Sequence, residues 1–170
     1  MERIFFPVSA DSSFYLGQQF DIQGKIFCGR DAVLPRIVEC YRKGTLGDLG
    51  INLSGSVIFH TAVSPAGIGP TSSNKLDIES SIPALSEAGV KLHLGKGALK
   101  PETVEVLKKY NSYFAVTPPV SALFGSRIIS SRVVAFPELG MEAFYELEVK
   151  GIPAIIAIAN GSSIFDQIGG

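Results

Sequence analysis

Short apolar segments alternate with longer amphipathic segments along most of this chain. Residues 21–28 place apolar side chains at nearly every second position, which predicts a β-strand. Residues 31–42 carry apolar side chains at helical spacing, which is typical of one buried helix face. The same patterns predict further strands at 57–59, 90–94, 113–117, 132–136, 143–149 and 154–159, and further helices at 80–89, 101–111 and 120–124.

The alternation of strands with helices predicts an α/β fold with a mostly parallel central sheet. Strands concentrate towards the chain ends, which indicates a second, antiparallel sheet. Residues 154–159 are apolar throughout, so we expect a central strand there, joined to the strand before it by residues 150–153. A polar loop is expected at residues 9–19, and no linker divides the chain, so residues 1–170 are expected to form a single domain.

Capping residues and prolines predict where the helices begin. Asp31 is expected to cap the first helix, with Pro35 in its first turn. Ser80 or Ser81 is expected to cap a later helix that carries Pro83 in its first turn.

The composition is apolar and nearly neutral. Apolar residues make up 46% of the chain and the mean hydropathy is +0.29, yet no apolar run reaches the ~20 residues of a membrane span. We therefore expect part of the surface to be buried against another chain. The formal net charge of -1 gives no basic footprint for nucleic acid, and the first residues show no secretory signal.

Two cysteines and two histidines limit the metal chemistry of the chain. Cys28 and Cys40 are too few for a disulfide framework, and free thiols fit a cytoplasmic protein. An iron–sulfur cluster takes three or four cysteine ligands, so this chain cannot hold one alone. His60 and His93 lie in or beside predicted strands without clustered carboxylates, so we predict no metal site and interpret both as structural residues.

Three glycine-containing segments follow predicted strands, where α/β folds place their ligand sites. Gly29-Arg30-Asp31 offers a guanidinium group suited to a carboxylate or a phosphate. Residues 67–75 combine glycines, hydroxyls and a lysine into a loop suited to binding an anion. Gly95-Lys96-Gly97 presents an ammonium group from a tight turn. Each segment alone also fits a solvated turn, but together they favour a small polyanionic ligand.

The chain shows no complete catalytic apparatus of its own. Neither a GxSxG nor an HExxH motif occurs, which argues against the commonest hydrolases. Glu138 and Glu142 flank Gly140 near a strand end, where they are either acid–base groups or the start of a helix, and Glu138 is expected to be solvated. Without a paired nucleophile and base, the chain is predicted to supply half of an active site.

Four motifs, in this order and spacing, resemble the C-terminal domain of class I fumarate hydratases and the β-subunit of L(+)-tartrate dehydratase. The resemblance runs from about Gly17 to Phe165. Each motif alone is weak, but the ordered set is specific. The motifs are Gly29-Arg30-Asp31-Ala32 with Arg36, Gly69-Pro70-Thr71-Ser72, Gly95-Lys96-Gly97, and Val134-Ala135-Phe136-Pro137-Glu138-Leu139-Gly140-Met141-Glu142-Ala143.

This resemblance implies a swivelling β/β/α three-layer fold and a reversible hydration of a dicarboxylate such as fumarate. It also implies a [4Fe–4S] cluster acting as a Lewis acid, held by a partner α-subunit and not by this chain. By position, Arg30 and Lys96 are expected to bind the substrate, and Thr71 to take part in proton transfer. Ser72 and Lys75 are expected to complete the substrate site.

Two positions depart from the family pattern and keep alternatives open. Lys75 replaces an arginine, which keeps the charge but loses the planar fork, and Leu34 replaces a histidine. The alternatives are an L(+)-tartrate dehydratase β-subunit and a non-catalytic paralogue that binds dicarboxylates. An enzyme acting alone on a phosphorylated metabolite is disfavoured, because no base or metal site accompanies the Ser/Thr-containing loop.

Overall fold

The computed structural model describes residues 2–64, 67–71, 75–117 and 127–165. Its strands are β1 (Glu2–Phe6), β2 (Gln19–Cys28), β3 (Val57–Phe59), β4 (Thr61–Ser64), β5 (Gly67–Thr71), β6 (Leu92–Gly95), β7 (Tyr113–Val116), β8 (Ile128–Ala135), β9 (Phe144–Ala159) and β10 (Ser162–Ser163). Its α-helices are α1 (Leu34–Lys43), α2 (Lys75–Glu87) and α3 (Pro101–Lys109), with short 3-10 helices at Leu46–Leu49 and Pro137–Glu142. None of these helices is both long and apolar enough to cross a membrane.

The main sheet closes on itself through its longest strand. β2, β3, β6 and β7 lie side by side and parallel, and β9 pairs antiparallel with both β2 and β7. These five strands therefore form a closed ring, to which β1, β8 and β10 add at the outside. The predicted α/β class is confirmed. The sheet is more mixed than predicted, because β9 runs antiparallel to its neighbours β2, β7 and β8.

A second, two-stranded antiparallel sheet is formed by β4 and β5, with Thr61 opposite Thr71. The sequence placed such a sheet at the chain ends, but the strands nearest the ends, β1 and β10, join the main sheet instead. The two short strands are adjacent in sequence, so a hairpin connection suffices to pair them. The swivelling three-layer arrangement stays a prediction.

The prediction of two late strands is wrong, since β9 continues unbroken for 16 residues. Gly151 has a positive φ of 78° and lies at a register shift between β9 and β2, where Ile152 pairs with Ile22 but Lys150 pairs with Gln23. The extra residue is absorbed as a β-bulge, so the strand bends without ending. The predicted central position of residues 154–159 is confirmed by their pairing with β2 and β7.

Helix starts were predicted with mixed success. Pro35 lies in the first turn of α1 as expected, but Asp31 is not the cap, since Val33 occupies that position without a side-chain hydrogen bond. α2 begins at Lys75, so Pro83 lies inside the helix and its predicted place in the first turn is wrong. Packing of the apolar helix face, which includes the fully buried Ile82, has more influence on where the helix begins than the local capping residues do. The predicted helix at 120–124 lies outside the described residues.

Alternation along β2 separates two packed cores. Phe20 and Ile22 belong to a cluster drawn from all five ring strands, which fills the inside of the ring. Phe27 points the other way and packs with Ile37 and Val38 of α1. Each such fully buried side chain contributes about 1.5–3 kcal/mol, so this alternation fixes the strand register.

A buried lysine ties the loop between β1 and β2 to the sheet. The Lys91 ammonium group donates hydrogen bonds to the carbonyl oxygens of Ala10 (2.7 Å), Ser12 (2.9 Å) and Asn111 (3.0 Å). Burial lowers the pKa of Lys91, and these carbonyls compensate for the lost water. The loop predicted at 9–19 is thus fixed although it has no regular structure before Gln19.

Candidate active site

Three neighbouring parallel strands end at one edge of the ring, and the segments that follow them form the candidate site. The Gly29 N–H donates to the Phe59 carbonyl (3.1 Å), and the His60 N–H donates to the Leu94 carbonyl (3.0 Å). The residues after β2, β3 and β6 are therefore held side by side. Arg30 and Lys96 follow the two outer strands of this group. The axes of these strands are about 10 Å apart, because neighbouring strands are spaced by about 4.8 Å.

Close packing explains the glycine that precedes Arg30. A Cβ atom at Gly29 would lie 2.7 Å from a methyl group of Val33 and 3.0 Å from the ring of Phe144. Both neighbours are fully buried and have no space to move. A glycine is needed here so that the chain can leave β2 tightly against the helix and present Arg30 at the edge.

Arg30 forms an ion pair with Glu142, a partner that lies 112 positions away. Its Nε and Nη2 atoms lie 2.7 and 2.5 Å from the same carboxylate oxygen, Oε1, and this hydrogen bond raises the pKa of Arg30. Both side chains remain partly exposed, at 27% and 29%. The side edge of the guanidinium is thereby fixed, which orients Arg30 at the strand end.

The segment that carries Glu142 is shaped by two unusual backbone positions. Phe136 has a positive φ of 56° and Gly140 one of 61°, and the Tyr145 hydroxyl donates to the Gly140 carbonyl (3.0 Å). The Arg36 guanidinium lies 5.3 Å above the Phe136 ring and 3.3 Å from Glu138. A left-handed conformation is unfavourable for a bulky residue such as Phe136, so these contacts stabilise a turn that delivers Glu142 to Arg30.

The sequence offers two interpretations of Glu142, an acid–base group or part of a helix start, and the structure places it at the end of the short helix Pro137–Glu142. Its carboxylate there holds Arg30, and the acid–base interpretation stays a prediction. The other flagged carboxylate, Glu138, is 59% exposed, as expected. The sequence signal for Glu142 was its place in the motif of residues 134–143. Its pairing with Arg30 could not be predicted from the local sequence, because the two residues are 112 positions apart.

Two of the remaining predicted site residues, Thr71 and Lys75, lie at the end of the β4–β5 ribbon and at the start of α2. Thr71 ends β5, and its backbone is opposite Thr61, the residue that follows His60. Lys75 is the first residue of α2, and Ser72 lies outside the described residues. The ribbon thus returns the chain at Thr71 to the edge where β3 ends. Leu34, the first residue of α1, is buried in the core that packs against this helix.

His60 and His93 form a buried pair beneath this edge. The His60 Nε2 and His93 Nδ1 atoms lie 3.1 Å apart, and the His93 Nε2 lies 3.0 Å from the Ser86 hydroxyl of α2. Burial lowers the pKa of His60 to about 4 and that of His93 well below its usual value, so both rings are neutral at pH 7. Their role as structural residues was predicted, but their mutual contact was not.

The donor set in this chain does not fit an iron–sulfur cluster. The chain has two cysteines, of which Cys28 is buried in the ring core and Cys40 lies on α1. Burial raises the pKa of the Cys28 thiol, which opposes its use as a thiolate ligand. Across the described part of the chain, no group of three His, Cys, Asp or Glu side chains is close enough to hold a metal ion.

Comparison with known proteins identifies the family. The family model for the fumarase C-terminus matches residues 9–168. The chain belongs to this family. The resemblance read from the four motifs is therefore confirmed, and the match covers the strand ends that present Arg30 and Lys96 as well as the Pro137–Glu142 segment.

The relatives fall into two kinds that differ in length. The class I anaerobic fumarate hydratase of Escherichia coli is 28% identical over 168 residues, covering 92% of this chain but 30% of that protein. The class I aerobic enzyme of the same organism is 26% identical, with the same coverage. The Escherichia coli L(+)-tartrate dehydratase subunit beta is 26% identical over 167 residues, covering 89% of this chain and 80% of that subunit. The chain thus spans less than a third of the fumarate hydratases that it matches.

Replacing Glu142 by glutamine should weaken the hold on Arg30 without unfolding the chain. Both partners are partly exposed, so we expect the free energy of unfolding to change by less than about 1 kcal/mol. If Arg30 binds substrate, a neutral partner that orients it less firmly should raise KM several-fold. The measurement is steady-state kinetics of the complete enzyme, with Glu138→Gln as the matched control. Unchanged kinetics in Glu142→Gln would show that the ion pair does not serve the site.

Proposed function

We propose that this chain is the β-subunit of a two-subunit cytoplasmic hydro-lyase that reversibly hydrates a dicarboxylate, with fumarate and malate as the leading substrate pair. The observation that carries the proposal is the family match over residues 9–168. The geometry supports it, because two cationic residues leave strand ends separated by one strand. Two positive groups at that spacing suit a small ligand with a carboxylate at each end.

The proposed roles follow from the chemistry of each side chain. Arg30, braced by Glu142, binds one substrate carboxylate with charge-assisted hydrogen bonds. Lys96 is exposed after β6 and binds the other carboxylate as a point charge. Ser72, which follows β5 in the sequence, and Lys75, the first residue of α2, complete the anion site.

Thr71 is proposed to handle the proton at the substrate carbon that gains or loses hydrogen. A hydroxyl is a weak base at its free pKa, so it needs neighbouring cations and a site closed to water. A partner subunit that covers this edge would exclude water. The apolar composition of the chain fits such a covered surface.

The partner is proposed to be an α-subunit that carries a [4Fe–4S] cluster, since this chain lacks the ligands. When bound there, the cluster would supply Lewis-acid chemistry at the substrate hydroxyl. The residues of this chain would bind the substrate, orient it and manage the proton. The swivelling β/β/α arrangement is proposed on the same family grounds.

A tartrate dehydratase β-subunit is the second candidate. It is supported by the match to the tartrate dehydratase subunit beta, which is 26% identical to this chain over 167 residues. Assays of the complete enzyme with fumarate, malate and L(+)-tartrate decide between the two by kcat/KM. A complex that binds these acids but converts none of them would instead support a non-catalytic paralogue, to which Leu34 and Lys75 point.

Single substitutions of the two cations test the site assignment. Arg30→Ala or Lys96→Ala removes a charged contact worth about 1.5–3 kcal/mol, so kcat/KM should fall about 10- to 150-fold. Arg132, which is 65% exposed on β8, and the exposed Lys109 of α3 provide matched alanine controls. Equal kinetics for the Arg30 and Arg132 variants would remove Arg30 from the site, and the same comparison of Lys96 with Lys109 would remove Lys96.

A further inference from the structure

A chain of hydrogen bonds runs from the backbone to the edge of the candidate site. The Ser112 hydroxyl donates to the Val90 carbonyl (2.8 Å), and the Ser86 hydroxyl lies 3.3 Å from that of Ser112. The His93 Nε2 lies 3.0 Å from Ser86, and the His93 Nδ1 lies 3.1 Å from the His60 Nε2. All of these groups are buried.

The Val90 carbonyl, at one end of this series of hydrogen bonds, determines which group donates in each of the others. A carbonyl only accepts, so the single proton of Ser112 is used there and Ser112 accepts from Ser86. The proton of Ser86 is then also used, so Ser86 accepts from the Nε2–H of His93. A neutral imidazole carries one ring proton, so the His93 Nδ1 is bare and accepts from the Nε2–H of His60.

The His60 Nδ1 is thereby left as a bare acceptor, and it is a buried atom without a hydrogen-bond partner among the described residues. Buried polar atoms are nearly always paired, so an orphan acceptor needs an explanation. A trapped water molecule could satisfy the His60 Nδ1 only where that water itself has about two to four polar partners. The chain of bonds fixes this lone pair in place at the end of β3.

The backbone of His60 lies at the same sheet edge as the proposed substrate-binding residues. Its backbone lies between the ends of β2 and β6, which carry Arg30 and Lys96, the two proposed substrate cations. The next residue, Thr61, is paired with Thr71, the proposed proton-transfer residue. The backbone that carries the orphan acceptor is therefore part of the strand-end cluster that forms the candidate site.

We propose that His60 is a positioning residue whose Nδ1 accepts a hydrogen bond from a hydroxyl group when the site is occupied. The hydroxyl is that of Thr71 or that of a bound hydroxy acid, and no proton leaves its oxygen in this contact. A hydroxyl that donates to His60 would have its oxygen lone pairs directed away from the imidazole ring. The hydrogen bond would thereby fix the orientation of the hydroxyl group. This inference rests on the proposed function and deepens it.

Nitrogen NMR of the complete α–β complex tests the proposal, because this chain holds only two histidines. With 15N-labelled imidazole in this chain alone, both rings of the empty complex should be the Nε2–H tautomer. A protonated Nδ1 on His60 would overturn the inference whatever the activity of the enzyme. Failure of the proposed function would appear separately, as a complex without turnover.

Ligand titration then identifies the donor. Succinate, a dicarboxylate without a hydroxyl, is compared with an equilibrated mixture of malate and fumarate. A shift of the His60 Nδ1 resonance with the mixture alone assigns the donor to the ligand. A shift with both ligands that is lost in Thr71→Val and kept in Thr71→Ser assigns it to Thr71. A resonance that moves with neither ligand contradicts the proposal.

Kinetics supply a second readout. His60→Phe removes the acceptor and should lower kcat about tenfold with KM little changed, because positioning acts on the reacting geometry and not on carboxylate binding. His93→Phe keeps the His60 Nδ1 but removes the acceptor of the His60 Nε2–H, so it should loosen His60 and reduce kcat less than His60→Phe does. A folded His60→Phe variant with unchanged kcat would contradict the proposal. If either variant fails to fold, the NMR titration still decides.

Discussion

Between pH 7 and pH 5 the folded chain is expected to lose up to about 4 kcal/mol of its free energy of unfolding through its two buried histidines. Both pKa values are lowered in the folded state, to about 4 for His60 and well below 6.5 for His93, with burial as the main cause. The unfolded chain takes up protons as the pH falls through 6.5, while the folded chain does not. Stability is therefore lost progressively from pH 6.5 down to about pH 4.

Urea unfolding at several pH values measures this effect. A histidine that stays neutral in the folded state lowers the free energy of unfolding by about 2 kcal/mol between pH 7 and pH 5. A folded His93→Phe variant should therefore lose about half of this pH dependence. Carboxylates also titrate towards the lower end of this range, so the difference between wild type and variant is the informative quantity. Identical slopes for the two proteins between pH 7 and 5 would mean that the buried histidines charge without resistance.

Replacing Thr71 by valine is expected to lower kcat of the complete enzyme by roughly 10²- to 10⁴-fold, the usual contribution of a positioned acid–base group. KM should change little, because substrate binding is assigned to the cations. Valine keeps the β-branched shape, so the end of β5 should be preserved, and Thr71→Ser should retain much of the activity. Stopped-time assays of fumarate consumption at saturating substrate measure the loss.

A Thr71→Val enzyme with near-normal kcat would remove Thr71 from proton transfer. The site would then need another proton acceptor, and the residues of the partner subunit would be the next to test. A variant that loses activity together with its folded signal by circular dichroism would count against the substitution and not against the role. For that case Thr71→Ala provides a smaller replacement.

The parts of the fold predicted well from sequence were those set by local periodicity. β2 was predicted from alternating apolar positions, and β6 and β7 from short apolar runs, and the structure places strands there. β9 was divided in two because Gly151 and Pro153 look like a turn in isolation. Only the pairing of Ile152 with Ile22 across the bulge shows why the strand continues, and that pairing involves β2, far away in sequence.

The candidate site followed the same rule. Arg30 and Lys96 could be predicted at strand ends because each follows an apolar run and a glycine. The pairing of Arg30 with Glu142 could not, since it depends on a turn with a left-handed Phe136 that no local pattern announces. The contact of His60 with His93 likewise arises from the register of β3 against β6, where Ile58 is paired with His93.

Anaerobic co-expression of this chain with a candidate cluster-bearing α-subunit, with fumarate followed by absorbance, is the most direct test of a shared active site. We expect a stable complex that consumes fumarate, with no turnover by either chain alone, and with loss of activity in the complex that carries Arg30→Ala. Turnover by this chain alone, or two chains that do not associate, would contradict the claim that it supplies one half of a shared active site.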